Sequence, residues 1–179
     1  MRDMTELTEK TSVEQHRSEA PATVRCMVVT VSDTRTPETD RSGALAKRLL
    51  EENGYIVVRY EIARDEYEQI RGLNREAAAD EEVEAVLLNG GTGIAPRDTT
   101  YEAVRDSLDK EMPGFGELFR FLSFTEDIGT AAMLSRAVAG VAGNTAVFSM
   151  PGSTGAVRLA MTRLILPELR HVMREIYKK

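Results

Sequence analysis

From residue 24 the chain alternates between stretches that are apolar throughout and stretches that are apolar every third or fourth position. The run VRCMVVTVS (24–32) is β-branched with no polar alternation, which predicts a strand buried on both faces. In SGALAKRLLEENG (42–54), Leu45, Ala46, Leu49 and Leu50 share one helical face, and Gly54 follows as a C-terminal stop. YIVVRYEI (55–62) predicts a second strand and VEAVLLN (83–89) a third. Between them, RDEYEQIRGLNREAAADEE (64–82) predicts a charged helix with Tyr67, Ile70 and either Leu73 or Asn74 turned inward. A helix near 99–109 follows. Gly143-Asn144 predicts a hairpin turn between two short strands in VAGNTAVFSM. A helix through GAVRLAMTRLIL (155–166) and a final helical segment begun by Pro167 close the chain.

Strands and helices in strict alternation specify an α/β fold with a mostly parallel sheet, helices on both faces, and a small mixed edge where the hairpin falls. No internal repeat appears. Residues 1–21 are polar, mixed in charge and poor in large apolar side chains, and predict a flexible N-terminal arm ahead of one domain over 22–179.

Composition narrows the function classes. With 179 residues, 42% of them hydrophobic, there is material for one ordinary core. A net charge of -6 argues against a broad grip on nucleic acid or on an anionic membrane. No signal-peptide pattern and no apolar run near the length of a membrane span is present, so a cytoplasmic protein is expected. Cys26 is the only cysteine and sits in an apolar strand, which predicts a buried thiol and excludes an intrachain disulfide or a thiolate metal cluster. His16 and His171 lack metal-ligand neighbours at useful spacing.

The candidate chemistry lies in two loops that leave strand ends and enter helices, NGGTGIAPRD (89–98) and SMPGSTG (149–155). In open α/β sheets ligands bind beyond the carboxyl ends of the strands. Glycine lets a backbone approach a ligand, and amides at helix N-termini favour anions. Side by side, the two loops would make an anion pocket on an acidic protein. There is no Gly-Lys pair and hence no Walker A loop; Pro96 spoils a dinucleotide fingerprint, and Pro151 spoils a nucleophile elbow. No histidine lies near enough in sequence for a Ser-His triad.

Asp98 is either a helix cap or a functional carboxylate. Thr99 and Glu102 already spell the T-x-x-E capping box, which would leave the Asp98 carboxylate unclaimed. Asp65 stands likewise between the second strand and a helix, where it is a cap or a second ligand. Two carboxylates beside an anion pocket are what a Mg²⁺–phosphate site uses. Ser32-Asp33 leaves the first strand at the same edge. Finally, Phe115, Phe119, Phe121 and Phe124 crowd one segment, as core or as an oligomer interface.

Together VTVSDTR, NGGTGIAPRDTTYEAV, GFGELFR, EDIGTAAMLSRAVAG and FSMPGS resemble the MoaB/MogA family of molybdenum cofactor biosynthesis, from about residue 24 to the C-terminus. The resemblance implies a three-layer α/β/α sandwich that assembles as a trimer, or as a hexamer of paired trimers. It implies molybdopterin binding and, in active members, adenylylation of molybdopterin with ATP and Mg²⁺. Carried over by motif, Gly90, Gly91, Thr92 and Gly93 hold phosphate or pterin, Asp98 and Asp65 are the catalytic and metal-binding carboxylates, and Ser32, Asp33, Ser123, Ser149, Met150, Pro151, Gly152 and Ser153 line the pocket. Asn89, Tyr101 and Ser149 depart from the family's commoner threonine, proline and asparagine. A non-catalytic molybdopterin-binding or carrier protein is the alternative the same motifs allow.

Overall fold

In a computed structural model, which describes residues 11–178 apart from the side chains of 15–17, the alternation resolves into one six-stranded sheet. The elements in chain order are α1 (Ser12–Ser18), β1 (Arg25–Val31), α2 (Arg41–Glu52), β2 (Ile56–Ala63), α3 (Tyr67–Ala79), β3 (Ala85–Asn89) and α4 (Thr100–Arg105). They continue with β4 (Lys110–Glu111), α5 (Pro113–Glu126), a 3-10 segment (Gly129–Leu134), β5 (Val138–Ala142), β6 (Thr145–Met150), α6 (Thr154–Ala160), a π turn (Met161–Ile165) and α7 (Leu166–Tyr177).

The strand order is β2-β1-β3-β6-β5-β4. The first four run parallel; β5 is antiparallel to β6 and β4 antiparallel to β5, which makes the mixed edge. Alternate residues of the central strands feed two cores. Cys26, Val28, Leu87 and Phe148 pack with α2, α6 and α7 on one face; Met27, Val29, Leu88 and Val147 pack with α3 and α4 on the other. Because β2 and β3 flank β1 on opposite sides, the loops leaving β1 and β3 diverge, and a crevice opens between them at the strands' carboxyl ends.

The predicted helix over 64–82 is shorter, and of its two candidate inward residues Asn74 is the buried one. The last two helices are joined rather than broken at Pro167. The Leu166 amide donates to the Met161 carbonyl, five residues back, and this widened turn displaces the carbonyls that the proline ring would strike. Gly143 has a φ of 59° at the hairpin, as the turn reading required. Burial pushes the Cys26 thiol up to about 12, so it stays protonated and inert at neutral pH.

Of the expected arm, residues 1–10 lie outside the described residues, as does the His16 side chain. Residues 12–18 are helical, and just beyond them Glu19 pairs with Arg174 of α7. Among the described residues no helix is long and apolar enough to cross a membrane.

The four clustered phenylalanines divide. Phe115 and Phe119 are buried, whereas Phe121 and Phe124 are 62% and 54% exposed. With Leu118 and Ile128 the exposed pair forms a second apolar stripe along α5 and its C-terminal end, at three- and four-residue spacing.

Candidate functional site

β3 is buried along its whole length and delivers the chain into the glycine loop at the crevice. The Gly90 amide donates to the Met150 carbonyl at 3.0 Å, which ties this loop to the one leaving β6. A Cβ on Gly152 would lie 3.0 Å from Gly90 Cα, so the two loops are in direct contact. Gly91 has a φ of 64°, and a Cβ there would stand 2.1 Å from Thr100 Oγ1 and 2.5 Å from Asp65 Oδ2. Only glycine fits that position. Gly152→Ala is expected to cost about 1–2 kcal/mol through the enforced loop separation, measured by thermal unfolding, and to weaken any ligand held by both loops.

The two carboxylates differ in what they already hold. Asp65 is 6% exposed. Its Oδ1 accepts from the Thr99 amide at 3.1 Å, from Thr99 Oγ1 at 2.9 Å and from Thr100 Oγ1 at 3.1 Å. Asp65 therefore caps α4 from across the crevice. It does not cap its own helix, since the N-cap position of α3 is Glu66, which makes no side-chain cap. The capping box expected at Thr99 and Glu102 does not form: the Thr99 hydroxyl is drawn to Asp65, and Glu102 pairs with Arg136.

Asp98 is half-buried, and its Oδ2 accepts from the Ala95 amide at 3.0 Å, closing a turn in its own loop. The carboxylate is thus partly claimed, but Oδ1 accepts no hydrogen bond among the described residues. Gly93 leaves room for it, because a Cβ there would lie 2.4 Å from Asp98 Oδ2. Among the described residues no group of three His, Cys, Asp or Glu side chains could hold a metal. What Asp98 offers is one hard oxygen, which suits Mg²⁺ when phosphates and water supply the other ligands.

Ser32 serves its own turn, accepting from the amides of Thr34 and Arg35 at 3.2 and 3.1 Å. Asp33 is exposed and takes a two-pronged pair from Arg97, with contacts of 2.9 to 3.1 Å, while Arg97 also reaches Glu66 at 2.9 Å. The Arg97 guanidinium, helped by the Asp65 amide, holds the Asp33 carboxyl below its ordinary value. Exposed pairs of this kind are weak, so an incoming anion can compete for Arg97.

Ser123, Ser149 and Met150 are at most 1% exposed and do not reach the crevice by side chain. The period of β6 points Ser149 toward α3 and α4 beside Leu88 and Val138, and Met150 into the opposite core. Ser123 belongs to the inner stripe of α5 with Phe115 and Phe119. Ser153 caps α6 through the Ala156 amide at 3.2 Å. Thr92 is 5% exposed, and Pro151 and Gly152 are half-buried.

A buried polar network beneath the loops had no clear sequence signal beyond the polar stretch TDRSG. Asp40, 2% exposed, accepts from Tyr60 Oη at 2.6 Å and from the Gly43 amide at 2.9 Å. Burial pushes the Asp40 carboxyl up, but hydrogen bonds from Thr30, Tyr60, Gly43 and Ser42 together outweigh it and hold it below its ordinary value. Ser42 Oγ donates to Asn89 Oδ1 at 2.7 Å. Arg35 donates to Ser42 Oγ and to the Gly152 carbonyl, the latter at 3.2 Å, joining the first loop to the Pro-Gly-Ser loop.

Two clefts lie at these loops, one lined by the glycine loop and one by the loop after β1 and the end of β2. One, of about 570 Å³, includes Ile94, Asp98 and Arg136; the other, of about 540 Å³, includes Asp33, Arg35 and Arg64. The Arg97–Asp33 pair links the two loops. A further cleft of about 430 Å³, between α7 and the β4–β5 edge, lies at the opposite end of the sheet from these loops.

The arrangement has known counterparts. Residues 27–171 match the family described as "Probable molybdopterin binding domain". The chain is 70% identical over 167 residues to molybdenum cofactor biosynthesis protein B of Halalkalibacterium halodurans, covering 93% of this chain and 98% of that protein. It is 59% identical over 167 residues to the protein of the same name from Bacillus subtilis, with the same coverage of 93% and 98%. Among solved structures, a crystal structure of molybdenum cofactor biosynthesis protein B superposes with a TM-score of 0.87 at 56% identity, covering 90% of this chain and all of that one. The chain belongs to the MoaB/MogA family of molybdenum cofactor biosynthesis proteins.

Proposed function

We propose that the protein binds molybdopterin at the paired loops 90–98 and 149–155 and adenylylates it with ATP and Mg²⁺, releasing pyrophosphate. The observation that carries this reading is Asp98. It is half-buried on a glycine loop with one oxygen unclaimed, and it lines a cleft of about 570 Å³. The attacking group is an oxygen of molybdopterin's terminal phosphate. It forms a bond to the α-phosphorus of ATP as the bond to the β-phosphate bridging oxygen breaks, and pyrophosphate leaves with the electron pair. A phosphomonoester with a second pKa of about 6 is already largely a dianion at neutral pH. No general base is needed, which suits a crevice with no histidine among the described residues.

Bringing two polyanions together is the difficulty, and this chain's residues address it. Asp98 would hold Mg²⁺, which when bound neutralises charge on the phosphates and the leaving pyrophosphate. Backbone amides of both loops orient the phosphate oxygens. Arg97 can exchange Asp33 for a substrate anion. Asp65 keeps α4, and with it the following face of the loop, in place. The test is chromatographic detection of adenylylated molybdopterin after incubation with both substrates, with and without Mg²⁺.

A second reading, a molybdopterin carrier without turnover, is favoured by one observation: Asp65 Oδ1 is committed to three donors, leaving Asp98 as the freer carboxylate. It predicts molybdopterin binding that is indifferent to ATP and Mg²⁺.

The exposed stripe of Leu118, Phe121, Phe124 and Ile128 supports self-association as a trimer, or a hexamer of paired trimers, since so much contiguous apolar surface is costly to leave in water. Phe121→Asp is expected to give a folded monomer by light scattering, with the melting transition of the isolated chain little changed. A variant still assembled like its parent would place the interface elsewhere.

A further inference from the structure

Arg136 lies in the segment LSRAVAG, between the 3-10 segment and β5, and none of the roles assigned above uses it. Its side chain is 24% exposed. Each of its guanidinium nitrogens faces a protein oxygen. Nη2 donates to the Asp98 carbonyl at 3.0 Å, Nε donates to the Thr92 carbonyl at 3.4 Å, and Nη1 pairs with Glu102 on α4. The guanidinium also lies 5.0 Å from the centroid of the Tyr101 ring.

The two carbonyls bracket the exposed stretch 93–97, the part of the glycine loop that no strand or helix supports. Inside the bracket, the loop is closed by the Asp98 amide to the Ala95 carbonyl at 2.9 Å and the Ala95 amide to Asp98 Oδ2 at 3.0 Å. From the same stretch, Arg97 reaches out to Asp33 and Glu66 through exposed pairs that solvent weakens. Arg136 is the sheltered fastener. It issues from the residues that enter β5, so it refers the loop to the hydrogen-bonded sheet. A lysine could neutralise Glu102, but it lacks the planar fork that meets three oxygens in three directions.

We propose that Arg136 is a positioning residue that fixes the 92–98 loop against β5 and so sets the place of the Asp98 carboxylate. This rests on the adenylyl-transfer reading above. The role assigned to Arg136 is not a grip on substrate phosphate, since each of its three nitrogens already bonds a protein oxygen. Misplacing a reacting group by about 1 Å can cost on the order of 10²-fold in rate.

The test compares Arg136→Lys with the parent in full-length protein. Adenylyl-transfer kcat should fall by about 10²-fold, with KM for molybdopterin changed by less than about threefold and the Mg²⁺ concentration for half-maximal rate raised. The melting temperature should stay within about 4 °C. Backbone amides of residues 92–98 should exchange hydrogen faster by mass spectrometry, while those of β5 and β6 stay as in the parent. An unchanged kcat would overturn the proposal. So would a loss confined to KM for molybdopterin, which would make Arg136 a substrate contact, or unchanged exchange in the loop. If the parent itself transfers no adenylyl group, the functional reading fails. Loop exchange then decides the positioning role alone: faster exchange in Arg136→Lys keeps it and equal exchange ends it.

Discussion

Asp98→Asn is expected to lower adenylyl transfer about 10³-fold while leaving melting temperature and molybdopterin affinity close to the parent values. The asparagine keeps a carbonyl oxygen for the Ala95 amide, so the turn survives. What it lacks is the negative charge on the oxygen now unclaimed at Oδ1. A hard divalent cation loses the carboxylate that offers it an unclaimed oxygen, and the charge neutralisation it supplies to the phosphates goes with it. A 10³-fold loss corresponds to about 4 kcal/mol of transition-state stabilisation. The loss should lie in kcat and be partly offset by raised Mg²⁺. Equal rates for variant and parent would remove Asp98 from the chemistry.

Asp65→Ala is expected to destabilise the fold by about 2–4 kcal/mol, because Thr99 and Thr100 lose a buried acceptor that serves three donors at once. In a domain of this size that lowers the melting temperature by roughly 6–12 °C. Asp65→Asn retains an acceptor oxygen and should cost less than half as much. The pair of variants separates two roles that position alone left open. If Asp65 only anchors α4, transfer activity in Asp65→Asn follows its retained stability. If Asp65 Oδ2 also serves the metal, activity is lost in Asp65→Asn although the fold is kept. A melting temperature unchanged in Asp65→Ala would contradict the anchoring geometry.

The architecture was legible because it rests on periodicity. Unbroken apolar runs marked β1 and β3, and three- and four-residue spacing marked α2. Gly90, Gly91 and Gly152 announced a close approach of two loops, and the structure has it. What escaped reading was long-range hydrogen bonding. A local rule assigned the Thr99 hydroxyl to its own helix, but an aspartate 34 positions earlier in the chain takes it. Asp40 and Tyr60 look like ordinary loop and edge-strand residues until the fold buries their contact. Ser149 and Ser123 carried family motifs, yet the two-residue period of a strand and the inner face of a helix turn them away from the crevice. Half of the phenylalanine cluster was core and half was not, since α5 has two apolar faces and the domain covers only one.

Whether the loops around Asp98 support adenylyl transfer is decided by a single-turnover incubation of the purified protein with molybdopterin, ATP and Mg²⁺, analysed by chromatography. Adenylylated molybdopterin and pyrophosphate are expected in equal amounts, absent without Mg²⁺ and nearly absent with Asp98→Asn. Molybdopterin that stays bound to the protein and is never adenylylated, while a known active family member succeeds under the same conditions, would contradict it and leave a pterin-binding cradle.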